Sequence, residues 1–200
     1  GTYQTTVTDN NGCKKVGPVQ TMSAPSPVVA STVTVTHVSC FGGSDGVLVF
    51  SGTGGRGAPY TYKCSNGTSN TTGTFTGLAQ GSYTCTVTDV NSCSTASVSI
   101  ATGVVTQPTQ MAVASPTATH VLCNSFSTGA ACFTVTQGTP TYSFVWSDLS
   151  AQSGTVAASG GQLCASNLAA GTYMATVTDS EGCTVTTPNI VITEPPTYPT

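Results

Sequence analysis

A thirteen-residue motif occurs three times in this chain and constrains its fold more than any other feature. Each copy begins with Gly-[Ser/Thr]-Tyr, continues through Thr-Val-Thr-Asp and ends in Cys; the copies are Gly1 to Cys13, Gly81 to Cys93 and Gly171 to Cys183. The later two copies each close a segment of about eighty to ninety residues, a period typical of repeat architectures. The first copy closes no such segment, so we expect residues 1–13 to be the C-terminal strand of an incomplete repeat that completes a neighbouring module.

Alternation of side chains within the motif predicts β-strands. Tyr83, Cys85 and Val87 share one face of the second copy, and threonines occupy the other face. A period of two places the first set in a core and the threonines outside. Short segments rich in Val, Thr, Tyr and Phe, separated by Gly, Asn and Pro, predict further strands near 31–39, 46–52, 59–64, 72–76, 82–89 and 95–101. No stretch has helical periodicity. The predicted class is all-β.

The strand pattern and the motif copies together predict the domain organisation. The spacing Leu-x-x-Gly-x-Tyr in the two later copies is similar to the tyrosine corner of immunoglobulin-like sandwiches. We therefore expect tandem immunoglobulin-like β-sandwich repeats, preceded by the terminal strand segment. The predicted boundaries are 1–13 for that strand, 14–30 for a linker, 31–106 for repeat 1, 107–194 for repeat 2 and 195–200 for a Pro/Thr-rich tail.

Composition restricts the partners of the chain. Only 6% of the residues are charged, the net charge is −3, and the four basic residues form no cluster. Nucleic acid is therefore not an expected partner, since phosphate neutralisation requires clustered Lys or Arg. No apolar run approaches eighteen residues, which predicts no membrane span. Nine cysteines without metal-ligand spacing indicate an oxidising environment, outside the cell or at its surface.

The cysteines of the two repeats predict four disulfides. Cys40 and Cys93 have repeat equivalents in Cys123 and Cys183, so we expect one shared bridge per repeat, Cys40–Cys93 and Cys123–Cys183. Each bridge stabilises a small extracellular domain by about 2–4 kcal/mol.

The other predicted pairs differ between the repeats. Cys64 and Cys85 correspond to Trp146 and Ala175, a large and a small side chain that fill the space of a bridge across the core, so we predict Cys64–Cys85. Elimination then leaves Cys132 with Cys164 as the last pair.

Cys13 is left over from this count. It bonds a cysteine of a neighbouring subunit, or the start of its repeat lies upstream in a longer chain, or it is a free thiol; we expect the first or second. The same segment carries Tyr3, Thr5 and Val7 on one face, and we expect this face to pack against the core of the neighbour.

The sequence contains no constellation that indicates catalysis, so no enzyme activity, metal site or cofactor is expected. Asp9, Asp89 and Asp179 recur in the Thr-Val-Thr-Asp turn, where a carboxylate accepts hydrogen bonds from backbone amides. Calcium binding is the weaker alternative, because no shared acidic cluster surrounds these residues. Similarly, His37 and His120 are expected to be structural strand residues, not zinc ligands.

Two N-glycosylation sequons lie four residues apart in one turn. They begin at Asn66 and Asn70. A surface turn in a cysteine-rich extracellular protein favours their use, so we expect covalent glycans there.

Several segments of repeat 1 resemble the SprB-type repeat, which occurs in tandem in large surface adhesins of gliding bacteria and in other secreted multidomain proteins. The matching segments are Val38 to Gly46, Pro59 to Tyr62, and Gly77 through Asp89 to Cys93. Repeat 2 departs from the pattern at Asn124 to Thr128. The resemblance implies an immunoglobulin-like sandwich with an adhesive or structural role and no catalytic residues.

These features favour a structural subunit of an extracellular, glycosylated fibre or adhesin stalk. Its partner is the chain itself, as neighbouring subunits or repeats joined head to tail by strand addition. The alternatives are an adhesin module that binds surface glycans or a receptor, and accessory domains of a secreted enzyme.

Overall fold

A computed structural model describes residues 1–90, 100–147, 153–157 and 159–197. Within these residues all regular secondary structure is β-strand, which confirms the predicted class. The strands are β1 Thr2–Tyr3, β2 Thr6–Thr8, β3 Lys14–Val16, β4 Gln20–Thr21, β5 Ser26–Thr36, β6 Gly46–Gly55, β7 Thr61–Cys64, β8 Ser69–Asn70, β9 Thr74–Leu78, β10 Gly81–Thr88, β11 Ile100–Val105, β12 Ala112–Thr119, β13 Gly129–Thr136, β14 Tyr142–Trp146, β15 Ser153–Val156, β16 Gln162–Leu168, β17 Gly171–Tyr173, β18 Ala175–Thr178, β19 Thr184–Thr186 and β20 Ile190–Ile192.

The strands form small sheets in which neighbouring strands are hydrogen-bonded. Two sheets hold repeat 1, in the orders β5-β6-β9 and β11-β10-β7-β8. Repeat 2 is built from the orders β12-β13-β16, β15-β14-β18-β19 and β17-β20. The two remaining ladders, β1-β4 and β2-β3, belong to the first residues of the chain. Within the described ranges no helix is long and apolar enough to cross a membrane.

The chain divides into two compact units. The first consists of Gly1–Thr34, Val49–Thr74 and Tyr83–Gly103, and the second of Val35–Leu48, Phe75–Ser82 and Val104–Thr200. The division therefore does not follow the sequence boundary at residue 106. The segment Val35–Leu48 belongs to the second unit, where the backbone N–H of Val38 donates to the carbonyl oxygen of Thr106 at 2.9 Å.

The core of repeat 2 lies between two sheets. On β13 the side chains alternate, so that Phe133 and Val135 are buried while their neighbours are half-buried. On β14 the same alternation buries Phe144 and Trp146, and the ring of Phe133 meets the ring of Trp146 edge to face at 5.4 Å. Side chains from both sheets thus share one core cluster, which is the arrangement of a β-sandwich.

A tyrosine corner fixes the end of this sandwich. The hydroxyl of Tyr173 donates to the carbonyl oxygen of Ala169 at 3.0 Å, four residues upstream. This hydrogen bond is the one that the Leu-x-x-Gly-x-Tyr spacing predicts, and it is typical of immunoglobulin-like domains.

The first residues of the chain differ from the prediction. The segment predicted as a linker over 14–30 contains β3, β4 and the start of β5, which corrects that assignment. Strand β3 pairs with β2, and β4 pairs with β1, so a hairpin, not a single strand, opens the chain. The predicted strand near 95–101 falls mostly on residues 91–99, outside the described residues.

Candidate functional site

The hairpin formed by residues 1–22, here called the terminal hairpin, is the first part of the candidate site. Its ladders pair Thr2 with Thr21 and Val7 with Lys15. The tight turn from Asp9 to Cys13 is closed by the carboxylate of Asp9, whose Oδ1 accepts from the backbone N–H of Asn11 and from that of Cys13, both at 2.9 Å. The terminal hairpin therefore has a defined register and a capped turn.

Residues 171–192 of repeat 2, here called the core hairpin, have the same hydrogen-bonding pattern. Each position corresponds to the residue 170 positions earlier, Gly171 to Gly1. The pairs Thr172 with Val191 and Val177 with Val185 reproduce the register of the terminal hairpin. In its turn, Oδ1 of Asp179 accepts from Glu181 at 3.0 Å and from Cys183 at 2.9 Å.

The two turns also share a left-handed glycine. The φ angle is +84° at Gly12 and +85° at Gly182, a conformation that side chains with a Cβ rarely adopt. Sequence reasoning missed that the equivalence extends beyond the two cysteines. The signal was present in the proline five residues after each cysteine, Pro18 and Pro188.

The two hairpins differ in the burial of their side chains. In the core hairpin β18 pairs with β14, and Val177, Ile190 and Ile192 are at most 4% exposed. In the terminal hairpin Tyr3 is 60% exposed and Val7 is 70% exposed. The terminal hairpin thus presents to solvent the face that the core hairpin buries.

The face predicted from Tyr3, Thr5 and Val7 corresponds to Tyr173, Ala175 and Val177, which are half-buried or buried in repeat 2. The structure adds residues from the second strand of the terminal hairpin to this face. By equivalence with Val185, Ile190 and Ile192 they are Lys15, Gln20 and Met22. Met22 is 66% exposed. Thr5 and Tyr3 are exposed as well, so all the predicted contact residues are accessible.

Two disulfides join the pairs that the sequence predicts for the differing cysteines. Cys64 bonds Cys85, and both lie in the core of the first unit at no more than 5% exposure. Cys132 bonds Cys164, directly opposite on β13 and β16 and on the outer face of that sheet.

The pairing expected for the shared cysteines is corrected. Cys40 bonds Cys183, not Cys93, and Cys123 is exposed and has no disulfide partner among the described residues, so it is not the partner of Cys183. Cys93 lies outside the described residues. The physical reason is that the turn carrying Cys40 belongs to the compact unit of repeat 2, where Cys183 Sγ also lies 3.5 Å from the carbonyl oxygen of Ser39. The bond therefore joins a turn of repeat 1 to a turn of repeat 2.

A cavity of about 340 Å³ lies beside this bond within the second unit. Its walls include Cys40, Phe41, Pro108, Asp179, Cys183 and Thr184. Asp179 is buried, and its Oδ2 accepts from the backbone N–H of Thr139 at 3.0 Å. The repeated aspartate is thus a cap for backbone amides, and the described residues contain no group of three or more His, Cys, Asp or Glu side chains that could hold a metal ion.

The two sequons differ in their surroundings. Asn66 is exposed, and its Oδ1 accepts from the N–H and the hydroxyl of Thr68, at 3.1 and 2.6 Å. Asn70 is half-buried; its Nδ2 donates to the carbonyl oxygen of Thr74 at 2.9 Å, and its Oδ1 accepts from the N–H of Gly73 at 2.8 Å. At Asn70, the side-chain nitrogen to which a glycan would be attached is therefore already a hydrogen-bond donor.

Comparison with known proteins agrees with the repeat pattern. The family model of the SprB repeat matches residues 32–69. The resemblance noted in the sequence is confirmed over that segment. No curated protein sequence matches the chain. The disulfides among the described residues, together with the match to the SprB repeat model, fit a protein of the cell surface or the extracellular space.

Several solved structures are similar to the chain at low sequence identity. The BSP domain structure of a biofilm associated protein is 17% identical, covering 83% of this chain and 30% of that one, with a TM-score of 0.27. A two-domain fibronectin type III segment of chicken tenascin is 13% identical, covering 84% of this chain and 99% of that one, with a TM-score of 0.30. A tetra-tandem repeat from the extending region of a large adhesion protein is 16% identical, covering 96% and 56%, with a TM-score of 0.26.

The chain thus spans 30% of the length of the biofilm associated protein structure that it matches.

Proposed function

We propose that the chain is a structural subunit of an extracellular fibre or adhesin stalk, assembled head to tail by strand addition between repeats. One observation carries the proposal. The terminal hairpin has the register and turn of the core hairpin, but the face that should be buried is exposed at Tyr3, Val7 and Met22.

Strand addition would place this face against the core of another repeat. Burying a Val, Met or aromatic side chain is worth about 1.5–3 kcal/mol per residue, and the free edge of β2 would gain the ladder that β18 makes with β14. Peptide recognition by an added strand combines these two contributions, with backbone hydrogen bonds giving affinity and side-chain pockets giving specificity.

The acceptor must lack a hairpin of its own. In repeat 2, β14 already lies between β15 and β18, and in repeat 1, β7 lies between β8 and β10. We therefore assign the acceptor role to a repeat of this same type, in a neighbouring subunit, that lacks its last two strands. A contact between two different surfaces that does not close on itself generates a filament.

The buried aromatic residues favour this structural role over glycan recognition. Sugar binding by stacking requires exposed rings, but the sheet residues Tyr62, Tyr142 and Trp146 are at most 6% exposed. The exposed ring of Tyr3 lies on the face that strand addition would bury. The low charge of the surface and a glycan at Asn66 would suit close packing of subunits without strong repulsion.

The proposal is tested by giving the chain an acceptor. Residues 107–170, which form repeat 2 without its core hairpin, are added after Thr200, so that each molecule has an acceptor at one end and the terminal hairpin at the other. Electron microscopy should show filaments. Deleting residues 1–22 should leave monomers, and so should Val7→Asp, whereas Thr6→Asp on the opposite face should still assemble. Monomers of the undeleted chain, or filaments after the deletion, would refute strand addition.

A further inference from the structure

The Cys40–Cys183 bond is a template for a second disulfide between two turns of the same kinds. Four turns are involved: the Cys40 turn (residues 37–45), the Cys123 turn (120–128), the Cys13 turn (9–13) and the Cys183 turn (179–183). The first and last are joined within one chain. The other two carry Cys123 and Cys13, which are exposed and have no disulfide partner in the part of the chain that the structure describes.

The Cys123 turn has the same conformation as the Cys40 turn. The N–H of Gly43 donates to the oxygen of Cys40 at 3.0 Å, and the N–H of Phe126 donates to the oxygen of Cys123 at 3.2 Å. The residue immediately before the next strand, Asp45 or Thr128, accepts through a side-chain oxygen from the N–H of the residue that precedes each cysteine. Both cysteines are therefore presented at the same point of the same turn.

The segment that follows each repeat also holds the two turns alike. The side chain of Gln107 accepts from the N–H of Gly42 at 2.8 Å, and that of Glu194 accepts from the N–H of Ser125 at 2.9 Å. Each repeat thus ends in a segment that fixes the orientation of its own cysteine turn.

The Cys13 turn matches the Cys183 turn bond for bond. The N–H of Asp9 donates to the oxygen of Cys13 at 3.0 Å, and the N–H of Asp179 donates to that of Cys183 at 2.9 Å. The N–H of Gly12 donates to the backbone carbonyl oxygen of Asp9, and the N–H of Gly182 donates to that of Asp179, both at 3.1 Å. Cys13 is consequently displayed as Cys183 is, but without a bonded partner among the described residues.

We infer that Cys13 of one copy bonds Cys123 of a second copy, repeating between molecules the bond that joins Cys40 to Cys183 within one. This rests on the proposed function for the head-to-tail order of the repeats. Two thiols lose two protons and two electrons as the sulfur–sulfur bond forms. A small-molecule disulfide such as oxidised glutathione accepts the electrons and protons by thiol–disulfide exchange and leaves as two thiols.

Charge supports the choice of Cys123 as the partner of Cys13. Thr184 follows Cys183 and lines the same cavity as Pro108, whose neighbour is Gln107. At the equivalent positions of the intermolecular pair stand Lys14 and Glu194, a basic and an acidic residue in a chain that has only four basic residues. Lys14, beside Cys13, and Glu194, which accepts a hydrogen bond from the Cys123 turn, therefore carry opposite charges, which favours encounter of the two turns at low salt.

The apolar residues beside Cys123 are exposed as well. Leu122 is 79% exposed and Phe126 is 60% exposed. In the template, the residue next to Cys40 is Phe41, which lines the cavity beside the bond. The position that corresponds to Phe41 holds Asn124, so Leu122 and Phe126, on either side of it in sequence, would supply the apolar wall against the incoming Cys13 turn.

Mixing two variants of the full chain tests the inference. Every sample carries Cys93→Ser, so that position 93 contributes no link. Cys13→Ser and Cys123→Ser are each incubated alone, and then together at equal concentration, in a glutathione redox buffer. We expect monomers from each variant alone, a dimer that does not grow from the mixture, and a ladder of oligomers from the chain with both cysteines. Mass spectrometry of the dimer should identify the Cys13–Cys123 peptide.

Charge reversal gives a readout that random oxidation would not produce. Lys14→Glu on the Cys123→Ser copy should slow dimer formation several-fold, and Glu194→Lys on the Cys13→Ser copy should restore the rate. Either effect should vanish in 1 M salt.

Three outcomes would overturn the assignment. They are equal yields of Cys13–Cys13 and Cys123–Cys123 dimers, a Cys13–Cys123 bond confined to monomers, and the absence of any covalent dimer. Strand addition is measured separately, with the Cys13→Ser chain under reducing conditions, so failure of the disulfide leaves that test intact.

Discussion

Cys64 lies directly opposite Cys85 on neighbouring antiparallel strands, and a disulfide joins them in the core of the first unit. The positions that correspond in repeat 2 are also directly opposite, and they hold Trp146 and Ala175. Trp146 is 2% exposed and Ala175 is 1% exposed. The same site is therefore filled by a bridge in one repeat and by a large and a small side chain in the other.

This equivalence gives a stability prediction. Replacing both Cys64 and Cys85 by Ala should lower the free energy of unfolding by about 3 kcal/mol, because the bridge closes a loop of 21 residues and its loss leaves unfilled space. The combination Cys64→Trp with Cys85→Ala reproduces the pair of repeat 2 and should recover part of the loss. Urea unfolding followed by circular dichroism measures both. A tryptophan variant less stable than the double alanine variant would show that the two sites are not equivalent.

The buried aspartate of the repeat turn should be important for stability. Asp179 accepts three backbone hydrogen bonds, from Thr139, Glu181 and Cys183. Asp179→Ala leaves these donors without a partner in a buried site and should lower the free energy of unfolding by about 2–3 kcal/mol. Asp9→Ala is the control, since Asp9 caps an exposed turn. Comparable losses from both substitutions, measured by thermal unfolding, would contradict the role of burial.

Acid should weaken the Cys40 turn through Asp45. Hydrogen bonds from the hydroxyl and the N–H of Ser39 lower the pKa of Asp45 below its ordinary value of 3.8. A lowered folded pKa means that the stabilisation is complete above the ordinary value and is lost as the pH falls through the folded value. An NMR titration should place the Asp45 midpoint below 3.8, and Ser39→Ala should move it upward. An unchanged midpoint in Ser39→Ala would exclude this cause.

Glycan occupancy should differ between the two sequons. Asn66 is exposed and Nδ2 of Asn70 donates to the carbonyl oxygen of Thr74, so modification at Asn70 must break that hydrogen bond. Secretion from a host that N-glycosylates proteins should give a glycan at Asn66 several-fold more often than at Asn70, as measured by site-resolved mass spectrometry of glycopeptides from a nonspecific protease digest. Asn70→Gln is the control, because it removes only the second sequon and should leave the occupancy of Asn66 unchanged. Equal occupancy at both sites would contradict the structural distinction.

Local patterns in the sequence predict the strands and the core well. The alternation around Val87 and Val177 identifies the buried face, and the exchange of Cys64 and Cys85 for Trp146 and Ala175 identifies a pair of facing positions. These features depend on residues close together in one repeat, so a comparison of the two repeats is enough to find them.

Relations between repeats are harder to predict. Repeat symmetry favours Cys40–Cys93, because both residues lie in one repeat, but the structure joins Cys40 to Cys183 across 143 residues of sequence. Nothing in either repeat alone encodes that contact, since it depends on how the turn of one repeat meets the turn of the next. The sequence predicts a linker where the structure has the strands Lys14–Val16 and Gln20–Thr21 for a related reason: polar residues replace the apolar ones of the core hairpin.

Hydrogen exchange of the terminal hairpin tests the central claim most directly. Residues 107–170 are placed immediately before Gly1, so that the hairpin follows the strands of repeat 2 at the point where Gly171 normally does. If the terminal hairpin completes a repeat, the amides of Thr6, Val7 and Thr8 should exchange at least ten-fold more slowly than in the 200-residue chain. A ten-fold slower exchange corresponds to about 1.4 kcal/mol of added protection. Val7→Asp in the extended chain should abolish the change. Unchanged exchange of these three amides would contradict the claim that residues 1–22 are the last strands of a repeat.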